Sequence, residues 1–205
     1  MDRRTSIKWV LAASAAWPLL REGTGRAAPL PAAHGYGTDP DLLKVYERGE
    51  VWPLTLSAPQ RRLAGILADI IIPDDGHSPS ASSVGVVDFI DEWVSAPYPD
   101  CQRDRPILLG GLEWLDAEAA RRFGKDFAEL AAAQQGAICD DICDQSRVAP
   151  AQREAARFFA VFRDLTAGGF YSTPVGRKDL GYIGNVPLVR FDGPPAALLK
   201  KLNLP

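Results

Sequence analysis

Histidine, methionine and cysteine are the scarce residues of this 205-residue chain, at two, one and three copies. Metal, haem and acid–base chemistry draws mostly on those side chains, so such chemistry starts here with few parts. A basic excess is missing too: 23 Lys and Arg face 26 Asp and Glu, a formal net charge of -3, without the electrostatic footprint of a nucleic-acid binder. Long hydrophobic runs are absent. The apolar stretch from Trp9 to Leu20, interrupted by Ser14 and Pro18, is about twelve residues, against the roughly 20 that span a bilayer. What is present is an ordinary globular balance, 46% hydrophobic and 24% charged. It predicts one domain with a core that needs no staples.

The N-terminus reads as an export address rather than as part of the fold. A basic head, an apolar middle and a small-residue tail at Gly25-Arg26-Ala27 are the three parts of a signal peptide covering residues 1–27. Arg3-Arg4, followed by Ile7 and Lys8, resembles the bacterial twin-arginine signal, a route for folded cargo. Arg21 and Arg26 after the apolar run fit the same route. Without residues 1–27 the chain holds 18 basic and 24 acidic side chains, a net -6. The expected location is the periplasm, at a membrane only through partners.

Residues 28–56 are rich in proline and glycine and read as an extended arm, with a short helical stretch at Asp41–Arg48. From residue 57 to 205 the pattern is mainly α, about five helices in one domain. Ser57-Ala58-Pro59-Gln60 has capping-box spacing and opens the first, whose apolar face runs from Leu63 to Ile71 until Pro73 stops it. Ser83 is the expected cap of the second, which ends before Pro97, and residues 97–104 read as a loop. A third is predicted over Arg105–Arg122, a fourth over Ala132–Cys143, and a fifth from Pro150 to Thr166, ended by Gly168-Gly169. From about residue 170 the tail is irregular, with a weak strand signal at Leu188–Phe191 and a short helix near Pro195–Leu202.

Few residues select a chemistry. Gly181-Tyr182-Ile183-Gly184 neither follows a strand nor opens a helix, so it does not read as a nucleotide loop. Cys139-Asp140-Asp141-Ile142-Cys143 is one residue too long for covalent haem attachment and lacks its His. No serine sits in a nucleophile elbow. No catalytic, cofactor-binding or metal-ligating residue is assigned. In an oxidising compartment the expected disulfide joins Cys101 to Cys139 or Cys143, because two cysteines one helical turn apart are awkwardly placed to bond each other; three free thiols are the alternative. Asp74-Asp75-Gly76-His77 reads as a helix-terminating turn more readily than as a cation loop.

Four stretches together resemble the gluconate 2-dehydrogenase subunit 3 family. They are the Arg3-Arg4 leader; Ala68-Asp69-Ile70-Ile71-Ile72-Pro73-Asp74 with Pro79-Ser80-Ala81-Ser82 and Gly85 to Asp91; Gly111-Leu112-Glu113-Trp114-Leu115-Asp116 with Phe123-Gly124-Lys125 and Phe127; and Gly168 to Ser172 with Asp179 to Asn185 and Phe191-Asp192-Gly193-Pro194-Pro195. The resemblance implies the non-catalytic small subunit of an FAD-dependent sugar or sugar-acid dehydrogenase, needed for its maturation, stability and twin-arginine co-export. FAD is then expected in the catalytic partner, with haem c in a cytochrome subunit where one is present, and no cofactor in this chain. Candidate contact residues in the tail are Tyr182, Asn185, Phe191 and Asp192, two aromatic anchors and two hydrogen-bonding groups. Two other classes stay open: an independent periplasmic enzyme working through carboxylates, and a sugar- or metal-binding module centred on Asp74–His77 and the Trp residues.

Overall fold

The structure, a computed structural model, describes residues 46–204 apart from 183, 185, 186, 188, 191 and 192. The export residues Arg3, Arg4, Ile7 and Lys8, the start of the arm, and Asn185, Phe191 and Asp192 lie outside the described residues. Among the described residues there are seven α-helices and no strand. In chain order they are α1 (Ala58–Ile71), α2 (Val86–Ser95), α3 (Pro99–Phe123), α4 (Ala132–Asp140), α5 (Arg153–Ser172), α6 (Pro174–Asp179) and α7 (Ala196–Lys201). Three 3-10 turns, Ala81–Val84, Phe127–Glu129 and Pro150–Gln152, join them. The weak strand signal falls partly outside the described residues, and Val189 and Arg190 form a bend.

Helix α1 begins as its sequence predicts. Gln60 Oε1 accepts from the Ser57 N–H at 2.9 Å, Ser57 Oγ caps the Gln60 N–H, and Pro59 occupies the first turn, where no N–H is needed. Leu63, Ala64, Leu67 and Ala68 then fall on one buried face. The turn after α1 is tied back by Asp69, whose carboxylate accepts from the Ser82 N–H and hydroxyl, both at 2.7 Å.

Three predicted boundaries change. Ser83 does not cap α2. It belongs to the 3-10 turn, and Gly85 is the N-cap with φ +87°, a left-handed conformation that glycine adopts without strain. Residues 99–104 are helix rather than loop. Pro99 takes the first position of α3 and Pro106 is carried inside it, so the helix runs 25 residues. Helix α4 stops at Asp140, and residues 141–143 form a turn.

Helix α5 also outruns its prediction. Gly168-Gly169 does not end it; the helix continues to Ser172. The reason is packing. A Cβ on Gly169 would lie 2.8 Å from the Phe89 ring, so glycine admits the aromatic side chain of α2 against the α5 backbone. The same device joins α3 to α5, where a Cβ on Gly111 would lie 1.9 Å from the Phe158 ring. Helix α5 is the central element, packed on α1, α2 and α3. Phe158, Phe162 and Phe170 share its buried face with Phe159 and Leu165. Asp116 Oδ1 accepts from the Phe127 N–H at 3.0 Å, which fixes the fully buried Phe127 under α3.

A candidate partner interface

Two surfaces stand out once the core is set aside. The first is inward-looking. Asp91, on α2, is a carboxylate with no exposed surface. Its Oδ1 accepts from the Leu56 N–H at 2.9 Å and the Thr55 N–H at 3.3 Å. Its Oδ2 takes Arg61 at 2.7 Å and Arg48 at 3.0 Å. Both arginines also pair with Asp88, one helical turn earlier. Burial works against the Arg61 charge, but the hydrogen bonds to Asp88 and Asp91 outweigh it and raise its pKa. The Gly49 N–H donates to Glu92 at 3.0 Å, and the Thr55 N–H also donates to Ser95 Oγ at 2.9 Å. The C-terminal part of the sequence-predicted arm is therefore bound to its own domain. Asp88 and Asp91 at i, i+3 were the signal; what paired with them was invisible, since Arg48 lies 43 residues from Asp91.

The second surface looks outward. The exposed large apolar side chains of the described residues all fall between Tyr171 and Leu204: Tyr171, Leu180, Tyr182, Val189, Leu198, Leu202 and Leu204. Local structure presents them. Thr173 caps α6 by accepting from the Gly176 N–H at 3.0 Å. Gly176 lies so close under α5 that a Cβ there would be 2.2 Å from the Phe170 carbonyl oxygen. Ser78 Oγ donates to Asp179 at 2.9 Å, anchoring α6 to the turn after α1. Beyond this anchor none of the described residues is buried, α7 included. An open cleft of about 500 Å³ lies beside the turn, lined by Pro174, Arg177, Lys178, Gly181, Tyr182 and Gly184.

Of the four candidate contact residues, Tyr182 is described and is exposed on this cleft. Leu180, Leu198, Leu202 and Leu204 are exposed in the same stretch of chain and were missed, because isolated leucines in a glycine- and proline-rich tail carry no periodic signal. The Asp74–His77 turn is exposed. Asp74 Oδ1 accepts from the Gly76 N–H, and Asp75 Oδ1 from the His77 and Ser78 N–H groups. The Ser78 and His77 amides lower the Asp75 pKa. Among the described residues no group of three or more His, Cys, Asp or Glu is placed to hold a metal ion, and no helix is long and apolar enough to cross a membrane.

The expected disulfide is not formed in the structure: Cys101, Cys139 and Cys143 are free thiols. Cys139 packs into the main core, whereas Cys101 is buried outside it and Cys143 is exposed. Burial pushes the Cys139 thiol up to about 12. Cys101 is also raised, by burial first and then by Asp104 and Asp100.

Among the described residues, interlocked helices with exposed large apolar side chains only between Tyr171 and Leu204 define a small all-helical domain. The family model of gluconate 2-dehydrogenase subunit 3 matches residues 58–190, more than half of the chain. The chain belongs to that family, which is named for a subunit of a multi-subunit dehydrogenase complex. Comparisons with curated proteins and with solved structures returned no match.

Proposed function

We propose that this protein is the non-catalytic small subunit of a periplasmic FAD-dependent sugar or sugar-acid dehydrogenase. In this reading it matures, stabilises and co-exports the catalytic flavoprotein by the twin-arginine route. A cytochrome c subunit, where present, carries the electrons onward. The observation that carries the reading is the set of exposed large apolar side chains, all of which, among the described residues, fall within residues 171–204. Exposed apolar surface of this kind marks an interaction site. The leader supports it: a route for folded cargo suits a chain that travels with a cofactor-loaded partner. Membership of a family named for a dehydrogenase subunit supports the class of partner.

Co-expression tests the proposal. The proposed flavoprotein partner is produced with and without it, and periplasmic flavin content and acceptor-dependent sugar oxidation are measured. The expected result is loss of both when this chain is left out. Equal flavin content and equal activity without it would sink the proposal.

A further inference from the structure

Charge is segregated along the chain. Residues 28–173 hold 13 basic and 22 acidic side chains, a net -9, whereas residues 174–205 hold five basic and two acidic, a net +3. The cations of the helical body are largely engaged within it: Arg48 and Arg61 with Asp88 and Asp91, Arg121 and Arg122 with Glu118, and Arg103 with Asp100. The unpaired cations of the body, Arg62, Lys125 and Arg153, are scattered along it, whereas Arg177, Lys178, Lys200 and Lys201 fall in two adjacent pairs near the end of the chain. All four are exposed, and among the described residues none of them pairs with a carboxylate. They are interleaved with the exposed apolar residues: Arg177 and Lys178 beside Leu180 and Tyr182, Lys200 and Lys201 between Leu198 and Leu202.

We propose that this basic and apolar C-terminal segment docks on an acidic face of the flavoprotein subunit, with the leucines and Tyr182 seated in apolar pockets and the four cations opposite carboxylates. The inference rests on the subunit role proposed above and adds the chemistry of the surface recognised. Complementary charge across an interface steers encounter and rejects wrong partners, while buried apolar anchors supply most of the affinity. An anionic lipid surface fits the observations less well. Interfacial helices present one long amphipathic face, whereas here the exposed apolar residues are spread over the end of α5, the residues after α6, the six-residue α7 and the residues that follow it. The rest of the chain, at net -9, is also repelled by such a surface.

The test compares the chain, produced without its leader, with the variant Arg177→Glu/Lys178→Glu/Lys200→Glu/Lys201→Glu and with Leu198→Ser/Leu202→Ser. Binding to the purified flavoprotein is measured from roughly 0.05 to 0.5 M salt, across which the Debye length shrinks severalfold. The wild-type chain should bind less tightly as salt rises. The charge-reversal variant should bind about tenfold or more weakly at low salt, with a flattened salt dependence. The leucine variant should bind weakly at every salt concentration with the slope retained. All substituted side chains are exposed, so helicity by circular dichroism should match the wild type. Unchanged affinity and slope in the charge-reversal variant overturn the inference while the subunit role stands, provided the flavoprotein still needs this chain in the co-expression test. A flavoprotein that matures without the chain removes both. Tighter binding to phosphatidylglycerol vesicles than to the flavoprotein, dependent on the four cations, overturns it in favour of a membrane surface. Self-association through the four cations in the absence of flavoprotein overturns it in favour of a second copy.

Discussion

Asp91 and Gly111 are the single residues on which most of this structure turns. Asp91 is a buried charge that stays satisfied because two backbone amides and two guanidinium groups converge on its carboxylate. Removing Asp91 leaves the buried Leu56 N–H without its acceptor and takes from Arg61 and Arg48 their buried partner, and breaking a buried ion pair costs about 3–5 kcal/mol. Asp91→Ala should therefore destabilise the domain by about that amount in denaturant unfolding. Asp88→Ala should cost less, since Asp88 is half exposed and surface ion pairs contribute about 0–1 kcal/mol. Gly111 fails in the opposite way. An added methyl group would overlap the Phe158 ring, so Gly111→Ala should destabilise by about 1–3 kcal/mol through overpacking. Phe158→Leu in the same chain should recover part of that loss. Strict additivity of the two substitutions would show that they do not share the contact.

At the scale of elements, residues 46–56 behave as a strap held to α2. Arg48 is a trypsin site, and the next residue, Gly49, is fixed through its N–H to Glu92. Limited trypsin digestion should spare the Arg48–Gly49 bond in the wild-type chain and cut it in Asp91→Ala, with mass spectrometry reading the new terminus. The junction of α3 with the end of α4 carries a pH dependence. Glu118 accepts from Arg121 at 2.7 Å and Arg122 at 2.6 Å, and Arg122 reaches Asp141, just past α4, at 2.7 Å. The Arg121 bond, opposed by burial and joined by Arg122, lowers the Glu118 carboxyl from the ordinary 4.5 to about 2. The folded state thus holds this proton more weakly than the unfolded state. Its contribution is fully present above about pH 4.5 and is lost as pH falls through about 2. Glu118→Gln should flatten the fall in stability between those limits, read from thermal unfolding across the acid range. Long elements of regular period were legible in the sequence, as α1 and its capping box illustrate. The extra turns of α3 and α5 were not. Pro99, Pro106 and Gly168-Gly169 are local stop signals, and packing against neighbouring helices overrides them.

At the scale of the whole molecule, the leader, the strap and the open tail divide the labour of the proposed co-export. Arg3→Lys/Arg4→Lys should hold both this chain and the flavoprotein in the cytoplasm, as cell fractionation would show. Retention of this chain alone would mean that the flavoprotein carries an export signal of its own. The proposed partner surface was only half legible. Tyr182 could be singled out as an aromatic in an irregular tail, but Leu180, Leu198, Leu202 and Leu204 gain meaning only when the structure leaves them uncovered.

Sequence alone determined the helical class, the order of the main helices, the family and the scarcity of cofactor-binding side chains. Each is a local or cumulative property: period, capping, composition and the order of short motifs. Tertiary structure decided where helices end, which glycines admit a ring, which carboxylate is buried with two arginines, and which apolar residues remain uncovered. Those outcomes depend on residues brought together from tens of positions apart, where hard-sphere contact and desolvation act and local propensity does not. The scarcity of histidine, methionine and cysteine leaves few parts for chemistry, and the exposed apolar residues between Tyr171 and Leu204 suit the proposed partner better than a pocket.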